Sequence, residues 1–257
     1  MGLFQKFGEY YDLIYLDAVD YKGECDFIEK IFKTLSREQP KKILDLGCGT
    51  GSHSLILAQR GYEVTGTDIS PVMIEGAKKK SKEINIEANF LVQDMRAAKL
   101  NERFDCAICM FGGFGYLLTH TDLVELFSSL TDHLREDGLF IFEFWNIGGL
   151  KPSPYRTWLK RQKKDTTLYR MTESNFSSET SILTIDMHFV VIHNRESVDV
   201  FDEKHPIRCY TTDEIRHYLN DNGFELLSIY NWDTENKAEF QEPEKDTFRI
   251  LAVARLK

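Results

Sequence analysis

The sequence lacks a regular set of cysteine spacings. Its five cysteines are an odd number and their spacings do not repeat, which argues against a disulfide framework and favours a reduced, cytosolic setting. Cys106 and Cys109 do form a C-x-x-C pair, but the pair lies inside an apolar run. Because positions three apart in a strand point to opposite faces, we interpret both thiols as core residues and predict no metal site.

Long apolar stretches are also absent. No uninterrupted run is long enough to span a bilayer, and residues 1–8 have no sustained apolar region of the kind that secretory signals contain. The sequence therefore predicts a cytoplasmic protein that has no membrane partner.

The chain has no excess of basic residues. It carries 32 Lys and Arg against 41 Asp and Glu, a formal net charge of −9 at pH 7, whereas nucleic-acid binders normally present a basic face. Hydrophobic residues at 42% and charged residues at 28% are ordinary for a globular protein with a sizeable core. The 257 residues predict one elaborated α/β domain, or one domain with a modest insertion.

Residues 43–51 form a short apolar strand followed by glycine at every second position. Gly47, Gly49 and Gly51 are followed at once by a segment with helical apolar spacing and polar N-terminal residues. A strand that enters a helix through three glycines brings backbone N–H groups and the positive end of the helix close to a ligand. This stretch predicts a binding loop for a nucleotide-type ligand.

Two patterns of nucleotide-type binding fit this loop. The dinucleotide fingerprint G-x-G-x-x-G requires glycine or alanine at its sixth position, where this chain has Ser52. The pattern acid-x-G-x-G-x-G is complete, with Asp45 as its acid, and it resembles motif I of the class I S-adenosylmethionine-dependent methyltransferases. Asp68 ends the next predicted strand, at the distance where a carboxylate accepts ribose hydroxyls in doubly wound folds. The loop and this acid favour a methyltransferase but leave a dehydrogenase open.

The segments after the loop distinguish the two. Strand and helix signals alternate with short connections, which is typical of a doubly wound sheet. In order they are a Q-D pair after a strand, an F-D strand, a helix, a D-G turn and an apolar strand. From residue 41 to residue 144 the order of these signals is similar to that of the class I methyltransferases. A dehydrogenase would share the glycine loop and the ribose acid but not the signals that follow them. The resemblance implies an α/β fold with a doubly wound, seven-stranded, mostly parallel sheet.

The resemblance also implies S-adenosylmethionine as the cofactor. The glycine loop would lie beneath its methionine and ribose portion, Asp68 would hold the ribose hydroxyls, Asp94 would contact the adenine amino group, and Met95 would lie against the ring. The cofactor site predicted in this way comprises Asp45, Gly47, Gly49, Gly51, Asp68, Ile69, Met73, Gln93, Asp94, Met95 and Met110.

The alternation of strands and helices stops between residues 148 and 208, a segment we call the insert. Alternating or β-branched runs at 167–171, 181–192 and 197–201, with Asn194-Arg195-Glu196 as a hairpin turn, predict an antiparallel sheet there. We expect the insert to act as a lid or substrate region. Residues 1–147 and 209–257 would then form the methyltransferase core, beginning with a helical cover and ending with a two-stranded hairpin.

Three side chains are candidates for chemistry at the methyl acceptor, and each has a structural alternative. Tyr11 lies on the predicted cover in a Tyr-Asp pair that resembles one found in many methyltransferases, and it would otherwise be a packing residue. The imidazole of His205 could accept a proton from an ammonium or hydroxyl, and the alternative is a surface histidine at a turn. Arg208 could clamp an anionic group or pair with the acidic run at 202–203.

The acceptor class is narrowed by residues 110–113. They read M-F-G-G, unlike the N/D-P-P-Y/F motif of the N-6 adenine and glutamine methyltransferases. An insert at this position resembles small-molecule enzymes, including glycine and sarcosine methyltransferases and those that N-methylate amino sugars. We predict methyl transfer to an amine or hydroxyl of a small molecule by a monomer or homodimer. The alternatives are an RNA methyltransferase, for which no basic cluster with interleaved aromatics is seen, and a nicotinamide-dependent oxidoreductase.

Overall fold

The computed structural model describes residue 4 and residues 6–194, 197–233 and 240–257. Its helices are α1 (Lys6–Tyr15), α2 (Tyr21–Leu35), α3 (Ser52–Gln59), α4 (Pro71–Ile84), α5 (His120–His133) and α6 (Thr212–Asp221). Its strands are β1 (Lys42–Leu46), β2 (Glu63–Asp68), β3 (Asn89–Val92), β4 (Phe104–Cys109), β5 (Leu134–Trp145), β6 (Tyr155–Lys163), β7 (Thr166–Ser177), β8 (Ile182–His193), β9 (Ser197–Arg208), β10 (Phe224–Asn231) and β11 (Arg249–Leu256).

Seven strands form one sheet in the order β10-β11-β5-β4-β1-β2-β3. Strands β1 to β5 pair in parallel, and β11 pairs antiparallel with β5 and β10, so the predicted fold class is confirmed. The chain runs outward from β1 to β2 and β3 and then crosses to β4 on the other side of β1. Ligands of such sheets bind beyond the carboxyl ends of the strands at this reversal of strand order.

Two apolar clusters cover the two faces of the seven-stranded sheet. One packs α5 and α6 against the sheet through residues such as Phe127, Phe140 and Leu219. The other packs α2 and α3 against the opposite face through residues such as Ile28 and Ile141. Since both faces are buried, β4 and residues 139–145 of β5 are almost continuously apolar, as expected for central strands of such a sheet.

Helix ends follow the local sequence signals. Ser70 is the N-cap of α4, where its hydroxyl accepts a hydrogen bond from the Met73 N–H, and Pro71 is the first helical residue. Thr211 and Glu214 form the capping box that starts α6. Both helices therefore begin at a hydroxyl side chain that satisfies an N–H group of the first turn.

The Asp137-Gly138 turn does not separate α5 from β5, which corrects the sequence-based prediction. Strand β5 begins at Leu134, which pairs with Phe104, and the register shifts before Leu139 pairs with Cys106. Asp137 adopts φ 63°. The turn residues are therefore accommodated as an irregularity inside one strand, between the Leu134–Phe104 and Leu139–Cys106 pairs.

The insert folds as an antiparallel meander with the order β6-β7-β8-β9. Strands β7, β8 and β9 extend the three predicted runs, whereas β6 was not predicted. Residues 155–163 are largely polar and charged and lie at the sheet edge, where an alternating apolar pattern is not required. The predicted turn at 194–196 lies partly outside the described residues.

A third apolar cluster joins the insert to the cover helix. Phe7 and Ile14 of α1 pack with Leu168, Phe189 and Val191 of β7 and β8. At its base, the Tyr210 N–H donates to the Trp145 carbonyl and the Ile147 N–H donates to the Tyr210 carbonyl. The insert is thereby fixed at both of its chain ends to the core. None of the helices in the described part of the chain is long and apolar enough to cross a membrane.

Candidate functional site

A cavity of about 880 Å³ lies between the seven-stranded sheet, helix α1 and the insert. Residues that follow the carboxyl ends of β1, β2, β4 and β5 form its floor, and α1 and the inner face of the insert form its other walls. The cavity therefore occupies the position that the strand order of the sheet predicts for a ligand.

The three glycines of the loop after β1 do not share one role. Gly47 and Gly49 line the cavity, whereas Gly51 does not. Apart from its two chain neighbours, no described residue has a heavy atom within 4 Å of where a Cβ at Gly49 would lie, so the loop backbone there faces open space. A Cβ at Gly51 would lie 2.9 Å from the ring of Phe90. Gly51, predicted as a ligand contact, instead allows the loop to pack on its own domain.

Asp68 fixes the shape of the glycine loop from the end of β2. One carboxylate oxygen accepts the Gly49 N–H at 3.0 Å and the other accepts the Ser70 N–H at 2.8 Å. Burial raises the pKa of Asp68, and these two hydrogen bonds oppose that shift. The carboxylate lines the cavity, so it is positioned for a ligand that offers hydroxyl donors.

Asp45 lies behind the same loop and is only 2% exposed. Its carboxylate accepts the Ser54 hydroxyl at 2.5 Å. Burial raises its pKa to about 6, against the opposing effects of His53 and Ser54. Asp45 therefore holds α3 against the end of β1 and reaches the cavity wall as well.

The remaining predicted cofactor residues all line the cavity on the β2 to β4 side: Ile69, Met73, Gln93, Asp94, Met95 and Met110. Asp94 is engaged by Arg96, whose Nε donates to both of its oxygens at 3.0 and 3.1 Å. This pairing lowers the pKa of Asp94. Arg96 also pairs with Asp122 of α5, and no motif in the sequence marks it as a site residue.

His205 is buried, with 1% exposure, and lies in the cavity wall; the exposed turn proposed as its alternative is wrong. Its Nε2 lies 3.1 Å from a Glu203 oxygen and its Nδ1 lies 2.8 Å from the Tyr116 hydroxyl. Strand β9 places the side chains of Glu203 and His205 on the same face, since positions two apart in a strand share a face.

Tyr116, His205 and Glu203 form a chain of hydrogen bonds that we call the relay, and hydrogen-bond chemistry assigns its protons. An ionised Glu203 can only accept, so His205 donates from Nε2, and Nδ1 then accepts the proton of the Tyr116 hydroxyl. Burial of Glu203 by itself would raise its pKa, but hydrogen bonds from His205 and the Phe7 N–H outweigh it and lower the pKa. Burial raises the pKa of Tyr116 well above its ordinary value. The arrangement holds a neutral phenol beside an imidazole that is able to take a proton.

The other two catalytic candidates differ in their positions. Tyr11 lines the cavity from α1, with its ring packed on Phe7 and Tyr15 at centroid distances of 5.6 and 4.8 Å. Arg208 is not among the residues that line the cavity. Its guanidinium lies over the rings of Tyr210 and Tyr218, because position 208 faces the side of β9 opposite to His205.

The predicted ion pair of Arg208 with the acidic run is wrong. Glu203 is bound to His205, and Asp202 pairs with His188 at 2.6 Å. Strand parity again explains the difference, since adjacent residues of β9 point to opposite faces and cannot converge on one partner.

A buried ion network that the sequence did not reveal lies at the end of β5. Both oxygens of Glu143 accept from the Arg249 guanidinium at 2.8 Å, and Arg249 also approaches Glu24 at 3.5 Å. Glu24 in turn binds His53 at 2.8 Å. These groups are more than 25 residues apart in sequence, so no local pattern could have found them.

Helix α1 is tied directly to the glycine loop. The Thr50 hydroxyl donates to Asp12 at 2.6 Å, and the Lys80 ammonium contacts Asp12 at 3.1 Å and Thr50 at 2.8 Å. Burial lowers the pKa of Lys80, while Asp12 opposes this effect. The cover and the ligand loop are thus joined by one polar cluster.

Known proteins with similar sequences carry the names of methyltransferases. Residues 43–138 match the family described as methyltransferase domain. YqeM of Bacillus subtilis (strain 168), whose name assigns it provisionally to the methyltransferases, is 31% identical over 229 residues, 88% of each chain. The dTDP-3-amino-3,4,6-trideoxy-alpha-D-glucopyranose N,N-dimethyltransferase of Streptomyces venezuelae is 26% identical over 205 residues, 78% of this chain and 82% of that one.

A solved structure agrees with this result. The crystal structure of a S-adenosylmethionine-dependent methyltransferase from Clostridium acetobutylicum ATCC 824 is similar over 99% of both chains, with a TM-score of 0.79 and 25% identity. The similarity includes the insert as well as the seven-stranded sheet, because it extends over almost the whole length.

Proposed function

Because the chain belongs to the class I S-adenosylmethionine-dependent methyltransferases, we propose that it transfers the methyl group to an amine of a small polar acceptor. The amine is favoured by the amino-sugar N,N-dimethyltransferase among its relatives. The insert covers the cavity in a way that suits a small acceptor more than a polymer. We place the reaction in the cytoplasm, where five free thiols would stay reduced.

S-adenosylmethionine supplies an electrophilic methyl group on a sulfonium, and the protein supplies orientation and a desolvated site. The residues present fit this cofactor, since the open side of Gly49 allows close approach and carboxylates face the cavity. We assign the ribose hydroxyls to Asp68 and the adenine to Gln93, Asp94 and Met95. The glycine loop would lie beneath the methionine portion.

The observation that carries the proposed acceptor chemistry is the Tyr116–His205–Glu203 relay in the wall of this cavity. An amine that enters as an ammonium has no free electron pair until it loses a proton. We propose that the proton passes to the Tyr116 oxygen while the Tyr116 proton passes to His205 Nδ1. The imidazolium formed is then stabilised by the Glu203 carboxylate.

The insert and α1 would act together as the lid of this site, which excludes water from the reacting groups. Their shared apolar cluster supports this role. Tyr11 would contribute from the lid as part of the acceptor pocket, and Arg208, which lies outside the cavity, would stabilise the base of the insert.

Isothermal titration with S-adenosylmethionine and S-adenosylhomocysteine tests the cofactor assignment. We expect Asp68→Ala to weaken binding by roughly 1–3 kcal/mol, as expected for loss of a charged hydrogen-bond partner. Glu63→Ala, at the opposite end of β2 and exposed, is the matched control and should bind like the wild type. Equal affinities for the wild type and Asp68→Ala would remove the ribose role from Asp68.

A screen for methyl transfer to small amines, amino sugars and hydroxylated metabolites tests the acceptor class. Turnover with amines supports the proposal. Turnover confined to hydroxyl acceptors would show that the acceptor group is a hydroxyl and not an amine.

Tyr116→Phe tests the proton relay while retaining the aromatic ring. We expect kcat for an amine acceptor to fall about 100-fold or more, the usual size of a lost acid–base contribution, with cofactor affinity unchanged. His205→Gln should fall similarly and the double variant little further, because groups that act as a unit are not additive. Tyr218→Phe, outside the cavity, is the control. A wild-type kcat in Tyr116→Phe would show that the relay moves no proton in the rate-limiting step.

A further inference from the structure

The charged groups of the cavity wall are divided between the core and the insert. All the carboxylates that line the cavity belong to the core, among the described residues: Asp45, Asp68, Asp94, Glu143, Asp233 and Asp246. The part of the wall that comes from the insert contributes cations and hydroxyls instead, with Arg170 and Lys151 as its cations. The core also lines the cavity with Arg96 and Arg249, but each is paired with a carboxylate. A cofactor with a sulfonium and ribose hydroxyls matches this acidic floor. The opposite wall has the chemistry of an anion site.

Arg170 has donor groups that the described residues leave unused. Its Nη1 donates to the Tyr15 hydroxyl at 2.7 Å, and the guanidinium carbon lies 5.7 Å from the Tyr15 ring centroid. Its Nε is buried without a hydrogen-bond partner, and no carboxylate among the described residues forms an ion pair with Arg170. An arginine in a protein is always charged, so this cation is held in the cavity wall without a counter-ion from the described part of the chain.

The surroundings of Arg170 extend the site with hydroxyl groups. Thr172 lies two positions along β7 on the same face, and its hydroxyl is 2.5 Å from that of Thr157 on β6. The next cross-strand pair is Tyr155 with Ser174, and all four side chains line the cavity. Hydroxyls can donate to an anion and impose no charge of their own.

We propose that the inner face of the insert, centred on Arg170, binds an oxyanion group carried by the methyl acceptor. The group is a phosphate or a carboxylate, whose geometry the planar guanidinium matches with two parallel hydrogen bonds. This inference rests on the proposed function, since it describes the acceptor of the same reaction. It gives the acceptor two ends, an amine near Tyr116 and an anion at Arg170.

Direct anion binding tests the proposal without turnover. The protein saturated with S-adenosylhomocysteine is titrated calorimetrically with pyrophosphate and, separately, with malonate, and the two titrations distinguish a phosphate from a carboxylate source. We expect saturable binding of at least one anion, and Arg170→Ala should weaken it about tenfold or more. The anion affinity of Arg170→Lys should lie between those of the wild type and Arg170→Ala, since lysine keeps the charge but loses the planar guanidinium that donates two parallel hydrogen bonds.

Arg156→Ala is the matched control. Arg156 lies on the outer face of the same sheet, pairs with Glu173 and does not line the cavity. Its replacement should leave anion affinity unchanged, and circular dichroism verifies that each variant is folded.

Three results would overturn the proposal. One is wild-type protein that binds neither anion, and another is equal anion affinity in the wild type and Arg170→Ala. The third is Arg170→Ala with weakened S-adenosylhomocysteine binding and unchanged anion binding, which would assign the guanidinium to the cofactor's own carboxylate. Failure of the proposed function itself is recognised separately, because S-adenosylhomocysteine would then not bind the wild type at all.

Discussion

At the scale of single residues, the absent side chain of Gly49 shapes the ligand loop. Gly49 has φ 55° and its missing Cβ faces open cavity. Gly61, between α3 and β2, also has a positive φ, 97°, and open space around it, but it lies away from the cavity. A side chain at Gly49 or at Gly61 would therefore cause the same kind of backbone strain. The added methyl group would enter the cavity only at position 49.

We predict that Gly49→Ala lowers cofactor affinity and that Gly61→Ala does not. Both variants should lose about 1 kcal/mol of unfolding free energy, because alanine disfavours positive φ. Only at position 49 would the methyl group also exclude the bound cofactor. Calorimetric titration and urea unfolding measure the two effects separately. Equal cofactor affinities in the two alanine variants would contradict a contact at Gly49.

Asp45 gives a pH dependence with a defined sign. Its pKa is about 6 in the folded protein against an ordinary value of 3.8, so the folded state holds the proton more tightly than the unfolded state. The stability it contributes is complete below the ordinary pKa of 3.8 and is lost as the pH rises from there through about 6.

Asp45→Asn removes this titration while retaining an oxygen that can accept from Ser54. From pH 5 to pH 8 the wild type should lose about 1–2 kcal/mol of unfolding free energy relative to the variant. Urea unfolding of both proteins at the two pH values measures the difference. The same change in both proteins would mean that Asp45 ionises in the folded state as readily as in water.

At the scale of secondary-structure elements, helix α1 is held from two sides. Asp12 binds Thr50 of the glycine loop and Lys80 of α4, and Glu203 of β9 accepts the Phe4 and Phe7 N–H groups near the helix N-terminus. A carboxylate there is favourable because it satisfies unpaired N–H groups and the helix dipole. Glu203 also orients His205, so closure of α1 and alignment of the relay depend on one side chain.

We predict that Asp12→Ala accelerates release of S-adenosylhomocysteine. Without Asp12, the partly buried Lys80 loses its ionic partner and α1 loses its attachment to the loop, at a cost of about 1–3 kcal/mol. Stopped-flow release kinetics should show a dissociation rate about tenfold higher, and trypsin should cleave the N-terminal segment faster. Asp17→Ala, an exposed acid just after α1, is the control. An unchanged release rate would mean that α1 does not control escape of the ligand.

At the scale of the whole molecule, the cavity is built from three parts that are distant in sequence. The floor comes from the carboxyl ends of the central strands, and the two other walls come from α1 and the insert. Binding in such a cavity should stabilise all three parts together, whereas α6 and β10 contribute no residue to its wall.

Hydrogen exchange with and without S-adenosylhomocysteine measures this coupling. We expect slower exchange in α1, in the glycine loop and in β7 and β9 of the insert, since ligand binding suppresses local opening of the elements it contacts. Exchange in α6 and β10 should not change. Protection confined to the glycine loop would contradict a lid formed by α1 and the insert.

Local chemistry in the sequence determined the ligand loop and the core fold. Glycine at alternate positions after an apolar strand is a requirement of backbone geometry, and alternating strand and helix signals lead to a parallel doubly wound sheet. The N-cap of α4 at Ser70, the position of Asp68 at the end of β2 and that of Asp94 just after β3 follow from the same local rules.

Only the tertiary structure decided how the acceptor side is built. Tyr116 and His205 meet across 89 residues, and Arg249 and Glu143 across 106, so no periodicity links them. Strand parity placed His205 inside and Arg208 outside, and it depends on the register of β9, which a sequence of mixed polar and apolar residues leaves open. The cofactor site is formed by continuous segments that carry their own pattern, whereas the acceptor site depends on packing between the insert and the core.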